Sequence, residues 1–162
     1  MKTQIGSYKN LFLCLVLVLF FNAVQAQDKK DVLQPAIEAK HFTFAAETVL
    51  PTSGRARQVT GDRYGITISG DSLRSYLPYF GRAYSAPLNG EGGYNFSSTA
   101  FGYTVKNRKK GGWEISIKPT DVSDFREFLL TVSESGSAVL QALSNNRQPI
   151  SYNGTVDVQQ EK

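Results

Sequence analysis

FGYTVKNRKKGGWEISIKPTDVSDFREFLLTVSESGSAVLQAL, residues 101 to 143, is the stretch that decides the fold. Trp113, Ile115 and Ile117 alternate with Glu114, Ser116 and Lys118, the two-residue period of a strand with one face buried and one in water. Phe101–Arg108 is extended ahead of it, and Lys109-Lys110-Gly111-Gly112 forms a turn, so the two runs make a hairpin. Phe125–Ser133 and Ala138–Leu143 make a second hairpin around Glu134-Ser135-Gly136-Ser137. Pro119–Asp124 joins them as a connection or a single helical turn. Hairpins in series predict antiparallel sheet.

Working outward, Ser144–Pro149 is a polar turn, and Ile150–Val158 is a last strand with an interruption at Asn153-Gly154. On the other side, Tyr94–Ser98 is extended and follows a connection from Arg82 to Gly93 rich in Gly, Pro and Asn. Before it, Tyr64–Ser69 and Leu73–Phe80 flank the turn Gly70-Asp71-Ser72. Tyr64, Ile66 and Ile68 share one face of the first run. In the second, Leu73, Ser75, Leu77 and Tyr79 oppose Arg74, Tyr76, Pro78 and Phe80, and Pro78 marks an edge strand or a strand end. Thr52–Gly61 is a polar connection. Phe42, Phe44, Ala46, Thr48 and Leu50 alternate with Thr43, Ala45, Glu47 and Val49 in a strand closed by Pro51. Val32–Lys40 is a short helix with Pro35 in its first turn and Ala36, Ile37 and Ala39 as its apolar stripe. The fold class expected is mainly β: an antiparallel meander of roughly eight strands, a sandwich or partly open barrel, preceded by one short helix.

The N-terminus reads as a processing signal. Lys2 and Lys9 precede the apolar run Leu11–Phe21, and compact residues lead to Ala26, after which cleavage is expected. The run is too short to span a bilayer. Residues 1–26 are therefore a signal peptide and 27–162 a single domain, exported to the periplasm or outside the cell. Without Lys2 and Lys9 the balance is 16 basic to 14 acidic side chains. So weak a charge calls for no nucleic-acid partner. Cys14 is the only cysteine and falls inside the signal, so no disulfide and no thiol chemistry are expected.

Catalytic groups are sparse. His41 is the only histidine and lies at a helix–strand junction, with no Gly-x-Ser-x-Gly elbow anywhere. The carboxylates Asp62, Asp71, Glu91, Glu114, Asp121, Asp124 and Glu127 are scattered and mostly at turns. No metal spacing is present, and no cofactor is expected. Lys106-Asn107-Arg108-Lys109-Lys110 is a solvated hairpin tip, and Asn89-Gly90-Glu91-Gly92-Gly93 lacks the lysine of a phosphate cradle. The strongest recognition signal is aromatic. Tyr76, Tyr79, Phe80, Arg82 and Tyr84 cluster beside a long loop, and Tyr with Arg recurs at binding surfaces. These five are the candidate ligand-binding residues of what is expected to be a non-enzymatic binding or structural domain of the cell envelope, its partner an unknown small ligand, a glycan or another envelope protein. The alternative is a carbohydrate-acting hydrolase with two convergent carboxylates.

The run Ser75-Tyr76-Leu77-Pro78-Tyr79-Phe80-Gly81-Arg82-Ala83-Tyr84, followed by Gly90-Glu91-Gly92-Gly93, resembles an exported family typical of Bacteroidetes and known only as domain of unknown function 4251. Asn145-Asn146-Arg147-Gln148 with Ile150-Ser151-Tyr152-Asn153-Gly154 is similar to its C-terminal turn. Phe42-Thr43-Phe44 and Gly70-Asp71-Ser72 match as well, so the resemblance spans about Ile37–Val156. It implies one β-rich exported domain and brings no catalytic residue.

Overall fold

The alternating runs become ten antiparallel strands of one sheet: β1 His41–Pro51, β2 Arg57–Gln58, β3 Gly65–Ser69, β4 Ser72–Pro78, β5 Gly93–Ser98, β6 Phe101–Asn107, β7 Trp113–Pro119, β8 Phe125–Val132, β9 Ser137–Ser144 and β10 Ile150–Val158. The computed structural model describes residues 29–61, 63–84 and 92–158, and a helix, α1, occupies residues 29–38. The strand order is β5-β4-β3-β1-β10-β9-β8-β7-β6, with β2 laid against β1. This is a meander in two halves, joined by pairing the first long strand with the last, from Phe42↔Val158 to Pro51↔Ile150. The sheet curls into a nearly closed barrel, which decides between the two architectures expected from the sequence. The strand count exceeds the expected eight partly through β2, which is too short to show a period.

Alternation puts Phe42, Phe44, Ile66, Leu73, Ile115 and Leu140 into one interior cluster, and Trp113 joins it as expected, 3% exposed. At the seam, β5 and β6 are linked by Thr99-Ala100 rather than by a ladder. Rings close the gap: Phe96 of β5 lies 5.0 Å from Phe125 and 6.0 Å from Phe128 of β8. Asp121 caps the connection, accepting from Ser98 Oγ at 2.5 Å and from the Thr99 N–H at 3.0 Å. Those two hydrogen bonds hold its carboxyl below the usual range.

Several local expectations are corrected. The helix begins earlier than Val32, so Pro35 stands in its second turn; Asp31, Gln34, Pro35 and Glu38 are exposed, so the backbone bond that proline forgoes lies on the wet side. The buried stripe is Leu33, Ala36 and Ile37, at i, i+3 and i+4, while Ala39 sits in the exposed turn that follows. Tyr103 Oη donates to the Ile37 carbonyl at 2.8 Å and ties the end of α1 to β6.

In β1 a bulge between Ala46 and Thr48 reverses the alternation, so Val49 is buried where strict parity would send it outward. The bulge also explains why Asn153-Gly154 does not interrupt β10. Gly154 pairs with Ala46 so closely that a Cβ there would sit 1.9 Å from the Ala45 carbonyl oxygen. Gly65 meets β1 from the other side, where a Cβ would sit 2.0 Å from the Phe44 carbonyl oxygen. Finally, Pro78 ends β4 but marks no edge, because β4 is paired with both β3 and β5.

Candidate functional site

The outward side chains of β1, β3, β4 and β5 form two rungs across the sheet. One is Thr43–Thr67–Arg74–Ser97 and the next is Ala45–Gly65–Tyr76–Asn95. The second rung is nearly bare over β1 and β3, because alanine and glycine stand there. Tyr64 closes the open side by stacking on Tyr76, centroids 5.0 Å apart and planes 29° from parallel. Arg63 completes the rim. The result is a cleft of about 710 Å³ on the outside of the barrel.

Its chemistry is mixed and mostly uncharged. Thr43 and Thr67 touch through their hydroxyls at 3.4 Å, leaving both able to bond outward as well. Tyr76 is 51% exposed and offers ring surface to solvent. Among the described residues, Arg63 and Arg74 are the only charged ones lining the cleft. Arg63 has φ +53°, the left-handed region that a residue with a Cβ seldom adopts. The next residue fixes it, since the Tyr64 carbonyl accepts from the Ala46 N–H at 2.8 Å.

The five residues expected to bind together are separated. Tyr76 alone lines the cleft. Tyr79 lies beyond the end of β4 and turns back to the barrel end. Its hydroxyl donates to the Arg82 carbonyl at 2.7 Å and reaches the Gln148 carbonyl at 3.1 Å, and its ring meets Tyr94 edge-on at 5.6 Å. Arg147 sits over both rings, 5.1 Å from Tyr79 and 5.2 Å from Tyr94, and donates through Nη1 to the Gly93 carbonyl. Residues 81–84 run antiparallel to 146–148, with Gln148 N–H bonded to the Arg82 carbonyl and Tyr84 N–H to the Asn146 carbonyl. This is a strap across the barrel end.

Within it, burial pushes the Tyr79 hydroxyl above the ordinary tyrosine range, and burial does the same to Tyr94 and Tyr152. Tyr152 Oη donates to the Pro78 carbonyl at 2.7 Å. Phe80 lies under the Arg57 guanidinium at 4.5 Å, and the Arg82 and Tyr84 side chains are exposed.

Sequence reasoning placed Tyr76 and Arg74 on one face but missed Thr43, Arg63, Thr67 and Ser97 as their companions. The outward parity of each strand was readable. Which strands stand side by side was not. Tyr64, grouped by parity with Ile66 and Ile68, lies just before β3, where it packs partly against the core and stacks on Tyr76.

Glu114 is exposed on β7, and most of the remaining groups have structural partners. His41 Nδ1 is 2.7 Å from the Ala39 carbonyl oxygen at the helix–strand junction. Asp71 pairs with Lys40, Asp124 accepts from Asn146 Nδ2, and Glu127 accepts from Ser116 Oγ beside Lys118. Asp62 and Glu91 lie outside the described residues. No group of three or more metal-binding side chains exists among the described residues. Among the described residues, the outer cleft is lined by no carboxylate, and a second one, about 440 Å³ beside β9 and β10, only by that of Glu47.

A family model described as a domain of unknown function, DUF4251, matches residues 24–156. The crystal structure of a DUF4251 family protein from Bacteroides eggerthii is similar to this chain, with a TM-score of 0.65. The two share 19% sequence identity over 82% of this chain and 89% of that one, which shows a common fold. No curated protein matches the chain.

Proposed function

This chain belongs to the DUF4251 family, and we propose that it is a non-enzymatic, exported binding domain of the cell envelope that holds a glycan across its outer cleft. The observation that carries this reading is the juxtaposition of a tyrosine platform with hydroxyl and amide groups in register on an open sheet face. A saccharide has an apolar C–H face and a polar rim. It therefore favours a ring to lie on and convergent donors and acceptors beside it. An open cleft also suits an extended chain better than an enclosed small molecule. Among the described residues, aromatic and branched side chains crowd the barrel interior, which favours the outer cleft. Export rests on the charged start, the short apolar run and the compact residues before Ala26.

The test is a heteronuclear NMR titration of the full chain with soluble oligosaccharides. Shifts at Thr43, Thr67, Tyr76 and Ser97 are expected, and Tyr76→Ala should weaken binding about tenfold or more. Binding that survives Tyr76→Ala unchanged would remove the cleft from consideration. Mass spectrometry of the protein from its host's envelope fraction checks export, which requires a chain beginning after Ala26; an uncleaved cytoplasmic chain would overturn it.

A further inference from the structure

We infer that the cleft selects acidic saccharides, with Arg74 and Arg63 receiving the carboxylate of a uronic acid; this rests on the glycan reading of the same cleft. Among the described residues, the lining holds two guanidinium groups and no carboxylate. None of the ion pairs among the described residues uses either arginine. Two other arginines differ: Arg147 lies over two rings and is bonded to a carbonyl, and Arg57 lies on Phe80. On the rung that carries Arg74, its neighbours Thr67 and Ser97 are short and neutral, so nothing beside it supplies a counter-charge.

The spacing fits a single sugar. Arg74 and Tyr76 are two apart on β4 and point the same way, which separates them by about 7 Å along the strand. A pyranose lying on Tyr76 would reach Arg74 with a substituent carboxylate, and the forked donors of a guanidinium match a planar carboxylate. Arg63 adds a second fork from the rim. Its left-handed backbone, held by the Tyr64–Ala46 hydrogen bond, is an unfavourable conformation kept at the edge of a binding cleft.

Isothermal titration of the full chain tests this with tetrasaccharides of galacturonate, mannuronate and hyaluronan, each beside its uncharged methyl ester. At least one acid should bind about tenfold or more tighter than its ester, with affinity falling as salt rises. Arg74→Gln or Arg63→Gln should bring that acid down to its ester's affinity. Arg126→Gln, exposed on β8, should leave it unchanged as a control for net charge. Equal affinity for acid and ester, with both weakened by Tyr76→Ala, would overturn the acidic selection and leave the glycan reading standing. Binding of no acid or ester, or binding insensitive to Tyr76→Ala, would overturn both.

Discussion

Tyr76 and Tyr79 stand three residues apart and end in opposite roles. Tyr76 is on a strand, where parity sends it outward, and its ring becomes the wall of a cleft. Tyr79 is past the strand end, where parity no longer applies. Its hydroxyl spans the Arg82 and Gln148 carbonyls and fastens the strap. One aromatic run thus supplies both the wall of a cleft and a structural clamp. What separates the two is the carbonyl groups each region leaves to be satisfied. The strap is a single bridge rather than a ladder, so Tyr79 adds its hydroxyl to the Arg82 and Gln148 carbonyls, and Arg147 ties it to the Gly93 carbonyl of β5. The cleft lies mainly over β1, β3 and β4, each paired on both sides, so the backbone there asks no side chain to satisfy it.

The contrast can be measured, beginning with a reference for a buried aromatic. Trp113→Ala should cost about 3–5 kcal/mol in urea unfolding, as for other large core truncations; a loss below about 1 kcal/mol would place Trp113 outside the core. Gly65→Ala should follow at about 1–3 kcal/mol, because the added carbon meets the Phe44 carbonyl and β1 must move away from β3. It should also weaken ligand binding, since Gly65 forms the cleft floor. A neutral result would mean that the two strands are further apart than described.

Alkaline pH should strike the strap. The hydroxyls of Tyr79, Tyr94 and Tyr152 titrate higher in the folded chain than the ordinary value of 10.0. The folded state therefore keeps protons that the unfolded state gives up. Stability is full below pH 10 and falls as pH rises through the folded values. Urea midpoints from pH 8 to 11 read this directly, and a flat profile would show the tyrosines to be exposed. Tyr79→Phe should cost about 1 kcal/mol by removing one donor from two carbonyls. Tyr76→Ala should change stability by no more than about 0.5 kcal/mol while abolishing the tyrosine stack. If Tyr76→Ala proves the more destabilising of the pair, the roles assigned to the two tyrosines are reversed.

Much of the fold was legible because strand periodicity is local. The hairpins around Lys109–Gly112 and Glu134–Ser137 follow from alternation and turn residues alone, and Trp113, Ile115 and Ile117 are buried as that alternation requires. The errors came where a tertiary contact overrides parity. The bulge that buries Val49 falls where β1 passes from its pairing with β3 to its pairing with β2, and Asn153-Gly154 continues β10 because glycine lets it approach that bulge. Of the candidate site, Tyr76 was found by its composition and its neighbours were not. Thr43 is thirty-one residues from Arg74 in the chain, and only adjacency through β3 brings them onto one rung.

The sequence by itself determined an antiparallel β domain with one leading helix, the interior faces of most strands and the residues of its turns. These depend on the two-residue period, the 3.6-residue period and turn chemistry, all of which act over a few neighbours. Only the tertiary structure decided that β1 and β10 pair, that the sheet curls into a nearly closed barrel, and that Tyr76 and Tyr79 serve different regions. Those outcomes turn on which distant strands share hydrogen bonds, and no local period encodes that choice.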